Sequence, residues 1–196
     1  MSRGLGWNVV LAACLLFFAA LIGLPFWWVL TGSIKIPQEI IARMPTMIPH
    51  SFTLQHYQKL FSASDYPVYL INSLIVATAS TVLTLLLALP AAYAFFRLRF
   101  PGRAIAYRTI LLAYAFPSIV VLIPLFGLFA KVGLVDRLPA LILVNTAFAL
   151  PFAIWMLRSF LAGIPKEIEE AAVMDGAPTL TLLRHIMIPL IAPGIA

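Results

Sequence analysis

Four carboxylates crowd one short stretch of this chain, Glu167, Glu169, Glu170 and Asp175, within Ile164-Pro165-Lys166-Glu167-Ile168-Glu169-Glu170-Ala171-Ala172-Val173-Met174-Asp175-Gly176-Ala177. Neighbouring carboxylates can work as general acid and base or hold a metal ion, but each role needs partners. No His or Lys is arranged here as a partner base, no Gly-rich phosphate loop with Lys-Ser/Thr occurs, and no metal-binding helix motif is present. No catalytic residue, metal ligand or cofactor is therefore assigned. What remains is recognition: a polar, acidic turn between two apolar stretches reads as a docking surface.

Local chemistry shapes that turn. Pro165 suits a helix N1 position, and Glu167, Glu169 and Glu170 then fall in the first turns, where carboxylates meet the positive end of the helix dipole. Gly176 is expected to end the helix in a φ > 0 conformation, with a second short helix restarting at Pro178-Thr179 toward Leu183 and Ile186. Two short helices joined by a tight bend would carry the small residues Ala171 and Ala172, which let another protein approach closely. The plainer alternative is an ordinary loop with solvated charges.

The elements that hold this loop are set by composition. The chain is 63% hydrophobic and 10% charged, against about 25% charged in an ordinary soluble domain. Lipid must be part of its solvent. No charge occurs over 4–34, 66–96, 109–130 or 138–157, gaps of 31, 31, 22 and 20 residues. Each can contain a helix of about 20 residues crossing about 30 Å of hydrocarbon. Four spans are expected, near 8–30, 69–96, 109–130 and 139–157, with the acidic loop at 158–185. A fifth span opens at about 186–196, where only 12 uncharged residues follow Arg184; the chain reads as truncated after the start of that span. The fold class is all-α, a polytopic transmembrane helix bundle, and 1–196 is one incomplete transmembrane domain.

Orientation follows from basic residues in the connections. Arg97, Arg99, Arg103 and Arg108 follow the second span, and Arg158, Lys166 and Arg184 follow the fourth. These are denser than Lys35, Arg43 and Lys59 in the long opposite loop or Lys131 and Arg137 in the short one. The N-terminus is therefore expected in the cytoplasm. The net charge of +6 needs no nucleic acid to explain it, since basic residues at helix ends are what such a membrane protein carries. Leu11-Ala12-Ala13-Cys14 spells a lipoprotein-like cleavage box, but the apolar run continues past Cys14 to Leu30, which favours an uncleaved span. Cys14 is the only cysteine, so no intrachain disulfide can form.

Between the first two spans, 31–66 is too small for a domain. Its Leu54, Tyr57, Leu60 and Phe61 recur at helical spacing, as in a helix lying along the membrane interface. His50 and His56 lack a second pair of ligands and read as surface residues. On the second span Ser73, Ala77, Ser80, Thr84, Ala88 and Ala92 share one face, a pattern of close helix packing more than of a solute site. On the fourth, Asn145, Phe148, Phe152 and Trp155 share a face. An amide among aromatic rings suits a translocation path for a passing sugar ring, and equally suits lipid-facing aromatics with one Asn bonded to a neighbour. Pro90, Pro117, Pro124 and Pro151 interrupt backbone hydrogen bonding inside apolar helices and favour kinks.

The loop from Ile164 to Ala177, with Ile186, Ile188 and Pro189 at matching distance, resembles the "EAA" loop of membrane-spanning permease subunits in binding-protein-dependent ABC importers. Pro25-Phe26-Trp27-Trp28 with Ser33-Ile34-Lys35, Asn72-Ser73, Ala91-Ala92-Tyr93-Ala94-Phe95 and Phe100-Pro101-Gly102-Arg103 resemble the carbohydrate-uptake branch of that family, of maltose and trehalose type. The resemblance runs from about residue 20 onward. It implies a MetI-like permease of the bacterial or archaeal inner membrane, which would pair with a second permease subunit, ATP-hydrolysing ATPase subunits and an extracytoplasmic solute-binding protein. It also implies an ATPase-coupling role for Glu170, Ala171, Ala172, Asp175, Gly176 and Pro189, and two further spans beyond the fifth. The subunit itself would not be an enzyme. A polyol or glycerol phosphate is an alternative solute. An ion-coupled secondary transporter is the competing class, but it would be expected to bury ionisable residues in its spans, and the charge-free gaps hold none. A membrane-embedded enzyme or assembly factor lacks candidate chemistry.

Overall fold

The computed structural model describes residues 5–44 and 46–195, and divides into two compact units, residues 1–69 and 70–196. Among the described residues there is no strand, only one isolated bridge between Lys35 and Phe52.

The first unit is built on α1, Leu5–Ser33. Every residue from Gly6 to Leu30 is exposed, although almost all are apolar. A helix apolar all round is stable only in lipid or against other helices. At its end the polar segment folds back on itself. Lys35 is buried at 3% exposure, its ammonium 4.9 Å from the centre of the Trp28 ring and donating to the Thr46 carbonyl. Trp27 Nε1 donates to the Met47 carbonyl at 3.2 Å, and the Ile34 carbonyl accepts from Thr53 N–H at 2.9 Å. Glu39, on the short helix α2 (Pro37–Ile40), accepts from the Thr46 hydroxyl and from His50 N–H. The Thr46 hydrogen bond holds its carboxyl below the usual range.

The helix expected from the Leu54 to Phe61 spacing is α3, Gln55–Ser62, with no buried residue and Tyr57, Leu60 and Phe61 exposed. The two histidines take part in the folded-back segment in different ways. His56 Nε2 lies 2.8 Å from the Lys35 carbonyl, and His50 offers its backbone N–H to Glu39.

The division between the units falls near the start of α4, Tyr66–Arg97; the second unit continues with α5 (Arg103–Tyr114), α6 (Ser118–Lys131), α7 (Leu138–Ala162), α8 (Lys166–Met174) and α9 (Thr179–Leu182). A π turn, Leu183–Met187, α10 (Ile188–Leu190) and a 3-10 turn, Ala192–Gly194, follow. Among the described residues three helices, Gly6–Ser33, Tyr66–Arg97 and Leu138–Ala162, are long and apolar enough to cross a membrane. Each overlaps an expected span.

The third expected span, 109–130, differs. It is two helices, α5 and α6, bent by 95° at the break between Tyr114 and Ser118. Pro117 is the cause. It cannot donate to the preceding turn, it pushes Phe116 out of helical geometry, and it caps α6 with an extended backbone, ψ 116°. Helices α4, α6 and α7 run on through Pro90, Pro124 and Pro151.

The core of the second unit is small and lies toward one end. Ala88, Ala92 and Tyr93 of α4 meet Ile154, Leu157 and Leu161 of α7, with Ala172, Leu182, Met187 and Ile191 from the segments that follow. The stripe of small residues on α4 is buried from Ser80 through Thr84 and Ala88 to Ala92, whereas Ser73 and Ala77 are exposed. Small side chains let the helices approach, and the Thr146 hydroxyl of α7 reaches the Ser80 carbonyl at 3.5 Å.

Candidate functional site

The acidic loop forms two short helices around a tight bend. Pro165 is the N-cap of α8 and not its first helical residue, with ψ 139°; Lys166 takes the N1 place. At the far end the Ala177 N–H bonds to the Ala172 carbonyl and the Gly176 N–H to the Val173 carbonyl, both at 3.0 Å. This pair of bonds is the Schellman motif, which needs a left-handed residue; Gly176 supplies it with φ +81°. No heavy atom lies within 4 Å of where a Cβ on Gly176 would stand, so any cost of a side chain there is conformational. Pro178 then caps α9, whose Leu182 anchors it in the core. Beyond it, Pro189 has no N–H to give the carbonyl one turn back, and the turn ahead widens to π geometry.

Helix α8 has two faces of opposite character. On the outer face Glu167, Glu170, Ala171, Asp175 and Gly176 are exposed. Lys166 Nζ lies 2.6 Å from Glu170 Oε1, and this hydrogen bond, with the charge behind it, holds the Glu170 carboxyl below its usual range. Both side chains are more than half exposed, so the pair adds little to stability.

On the inner face Glu169 is buried at 7% exposure and forms an ion pair with Arg97 Nε at the end of α4. Arg97 Nη2 also donates to the Ile164 carbonyl at 2.9 Å, and its guanidinium lies 4.5 Å from the centre of the Phe96 ring. Arg158 of α7 lies 5.6 Å from the same ring and 4.7 Å from that of Tyr107.

Ala172 is on this inner face, buried in the core. It therefore does not belong to the approachable surface that sequence expected of it; one residue's turn separates it from Ala171, which is exposed. Pro189 is exposed but lies on a separate short helix.

Sequence reasoning missed two features of the loop. Val173, Met174 and Leu180 are 60%, 87% and 76% exposed, forming apolar knobs beside the carboxylates; apolar residues inside a polar loop were the available signal. Contacts of this kind are what a partner protein buries. The Arg97–Glu169 pair had no local signal, since its members are far apart in sequence.

On α7, Phe152 and Trp155 are in ring contact at 5.8 Å, and Tyr114, absent from the sequence expectation, stacks on Phe152 at 5.8 Å and 29°. Asn145, exposed, and Phe148, half-buried, sit earlier along the helix. The aromatic surface thus includes the residue just before the Pro117 break.

Residues 81–196 match the family described as "Binding-protein-dependent transport system inner membrane component". The chain is similar to the inner membrane ABC transporter permease protein YcjP of Escherichia coli, 38% identical over 173 residues, covering 87% of this chain and 62% of that protein. It is equally similar to the trehalose transport system permease protein SugB of Mycobacterium tuberculosis, 38% identical over 172 residues, 88% of this chain and 62% of the relative. Its fold matches a bacterial ABC transporter involved in import of the acidic polysaccharide alginate, with TM-score 0.83 and 25% identity over 96% of this chain and 66% of that one. The chain thus spans a little over three fifths of the length of the curated relatives it matches.

Proposed function

Because the chain belongs to the inner membrane components of binding-protein-dependent transport systems, we propose that it forms part of the permease subunit of an ATP-driven sugar importer. The observation that carries this reading is the α8–α9 loop, which offers Glu170, Ala171, Asp175 and Gly176 to solvent while Glu169 and Ala172 hold it to the bundle. The outer face would dock an ATPase subunit, with Val173, Met174 and Leu180 as apolar contacts. Pro189 would keep the segment behind the loop in its widened turn. A second permease subunit and an extracytoplasmic solute-binding protein would complete the assembly. The chain's own part is then mechanical: it carries to the membrane the work of ATP hydrolysed elsewhere. A carbohydrate solute is supported by relatives named for trehalose and alginate. Asn145, Phe148, Phe152 and Trp155, joined by Tyr114, would line part of its path, since ring faces stack on the apolar faces of sugars.

Reconstitution tests the docking role. The ATPase subunit is expected to co-purify with the full-length permease and to be lost, wholly or largely, from Glu170→Lys. That change replaces the exposed carboxylate of the outer face with a cation and sets it beside Lys166, its former partner. Undiminished co-purification together with wild-type uptake would remove the loop from the interface.

Orientation is a separate test. The N-terminus is assigned to the cytoplasm from the Arg97 to Arg108 and Arg158 to Arg184 clusters. In a Cys14→Ser background an impermeant thiol reagent applied outside is expected to label Ser62→Cys and to leave Ala104→Cys untouched. The opposite pattern reverses the orientation.

A further inference from the structure

We propose that Arg97 is a positioning residue through which movement of α8 is delivered to α4. The proposal rests on the docking reading above and concerns what happens after docking. Helix α8 is joined to α7 through Gly163, Ile164 and Pro165, where the α-helical ladder gives way to bonds from Gly163 N–H to the Phe160 carbonyl and from Ile164 N–H to the Leu161 carbonyl. Apart from the packing of Ala172 in the core, a push on the outer face of α8 could spend itself in bending that connection.

Arg97 stops this by holding both sides of the bend. Its Nη2 bonds to the Ile164 carbonyl before Pro165, and its Nε pairs with Glu169 in the first turn after it. One hydrogen bond and one ion pair from different nitrogens of a single planar guanidinium tie the two sides together, a span that the compact point charge of a Lys ammonium does not offer. The pair is enclosed: side-chain exposure is 14% for Arg97 and 9% for Glu169, so solvent does not compete for it as it does for Lys166 and Glu170 at 69% and 60%.

Arg97 itself has little freedom to yield. It is the last residue of α4, a helix of 32 residues, and its guanidinium lies against Phe96, the ring that Arg158 of α7 approaches from its own position beside Tyr107. Displacement of α8 therefore arrives at the end of a long span. Glu170, one position along, points the other way and meets the partner. The adjacent glutamates divide the work, one receiving the force and one transmitting it.

The test uses the full-length permease with its ATPase, second permease and binding protein in proteoliposomes, and reads solute taken up per ATP hydrolysed. Arg97→Gln and Glu169→Gln are each expected to keep the ATPase bound and hydrolysing, and to lower that ratio about tenfold. The double variant should fall no further, because both changes cut one link. A purely structural role would reduce the amount of folded protein and leave the ratio alone. Unchanged ratios, a double variant losing the product of the two single losses, or release of the ATPase by Arg97→Gln would each overturn the proposal. Should the single variants fail to accumulate, Arg97→Met/Glu169→Leu leaves no unpaired buried charge. It is expected to show the same loss of ratio, and wild-type import by it overturns the proposal. Gly176→Asp, run in parallel, separates the two readings: if it keeps the ATPase and full uptake, docking by the loop fails, whatever the Arg97 variants do.

Discussion

Glu169→Ala is expected to destabilise the protein by about 3–5 kcal/mol, the usual cost of removing one partner from a buried ion pair. The loss comes from what is left behind. Arg97 keeps its full charge at 14% side-chain exposure, with the Ile164 carbonyl as a remaining acceptor and no carboxylate to balance it. Glu170→Ala, one residue on, is expected to produce no measurable change, because both members of its pair stand in solvent. The contrast is the useful measurement: thermal unfolding of the two purified variants in detergent, beside the parent. Equal transitions would mean that burial of the Arg97–Glu169 pair does not contribute to holding the loop.

Gly176→Asp should act on partnership more than on folding. The residue sits at φ +81°, where a side chain costs about 1–2 kcal/mol, yet no neighbouring atom obstructs it. The chain can respond by giving up the left-handed turn. That would break the bonds from Gly176 and Ala177 back to Val173 and Ala172 and re-aim α9 relative to α8. Membrane insertion should be unaffected, because the change lies outside every span. Binding-protein-stimulated uptake is expected to fall more than tenfold, with a matching loss of co-purified ATPase. Gly176→Ala, with the same backbone strain and no added charge, should show a smaller loss of both. A Gly176→Asp permease that retained its ATPase and transported at the parental rate would separate the bend from coupling.

Most of the long elements were legible because charge is excluded from hydrocarbon, so the gaps in Lys, Arg, Asp and Glu mark helices directly. The gap at 109–130 marked apolar length correctly and concealed the bend. Pro117 resembles Pro90 and Pro151 in sequence, but Ala88 and Ala92 flank the former and Ile154 the latter inside the core, whereas α5 and α6 bury no residue. Packing helps carry a helix through a proline, and sequence does not report packing. Burial alone does not decide it, since α6 also continues through Pro124.

In the loop, Gly176 was legible because few residues tolerate its geometry. The division between Glu169 and Glu170 was not. Adjacent positions on a helix differ by about 100°, and which of two identical side chains turns inward depends on Arg97, a residue that local pattern cannot connect to them. The same rotation separates Ala171 from Ala172, and sequence assigned both to one surface.

The right-angle break at Phe116 and Pro117 has a consequence for solvation. Where a helix stops, its last carbonyls lose their partners, and at bilayer depth such groups persist only when covered by protein or reached by water. The end of α5 retains only bonds such as that from Ala115 N–H to the Leu111 and Leu112 carbonyls. Amide hydrogens around the break should therefore exchange with deuterated solvent far sooner than those in the middle of α4, whose ladder is uninterrupted through Thr84. A hydrated notch of this kind would bring water to the edge of the Tyr114–Phe152–Trp155 surface, giving an otherwise greasy wall one wet border.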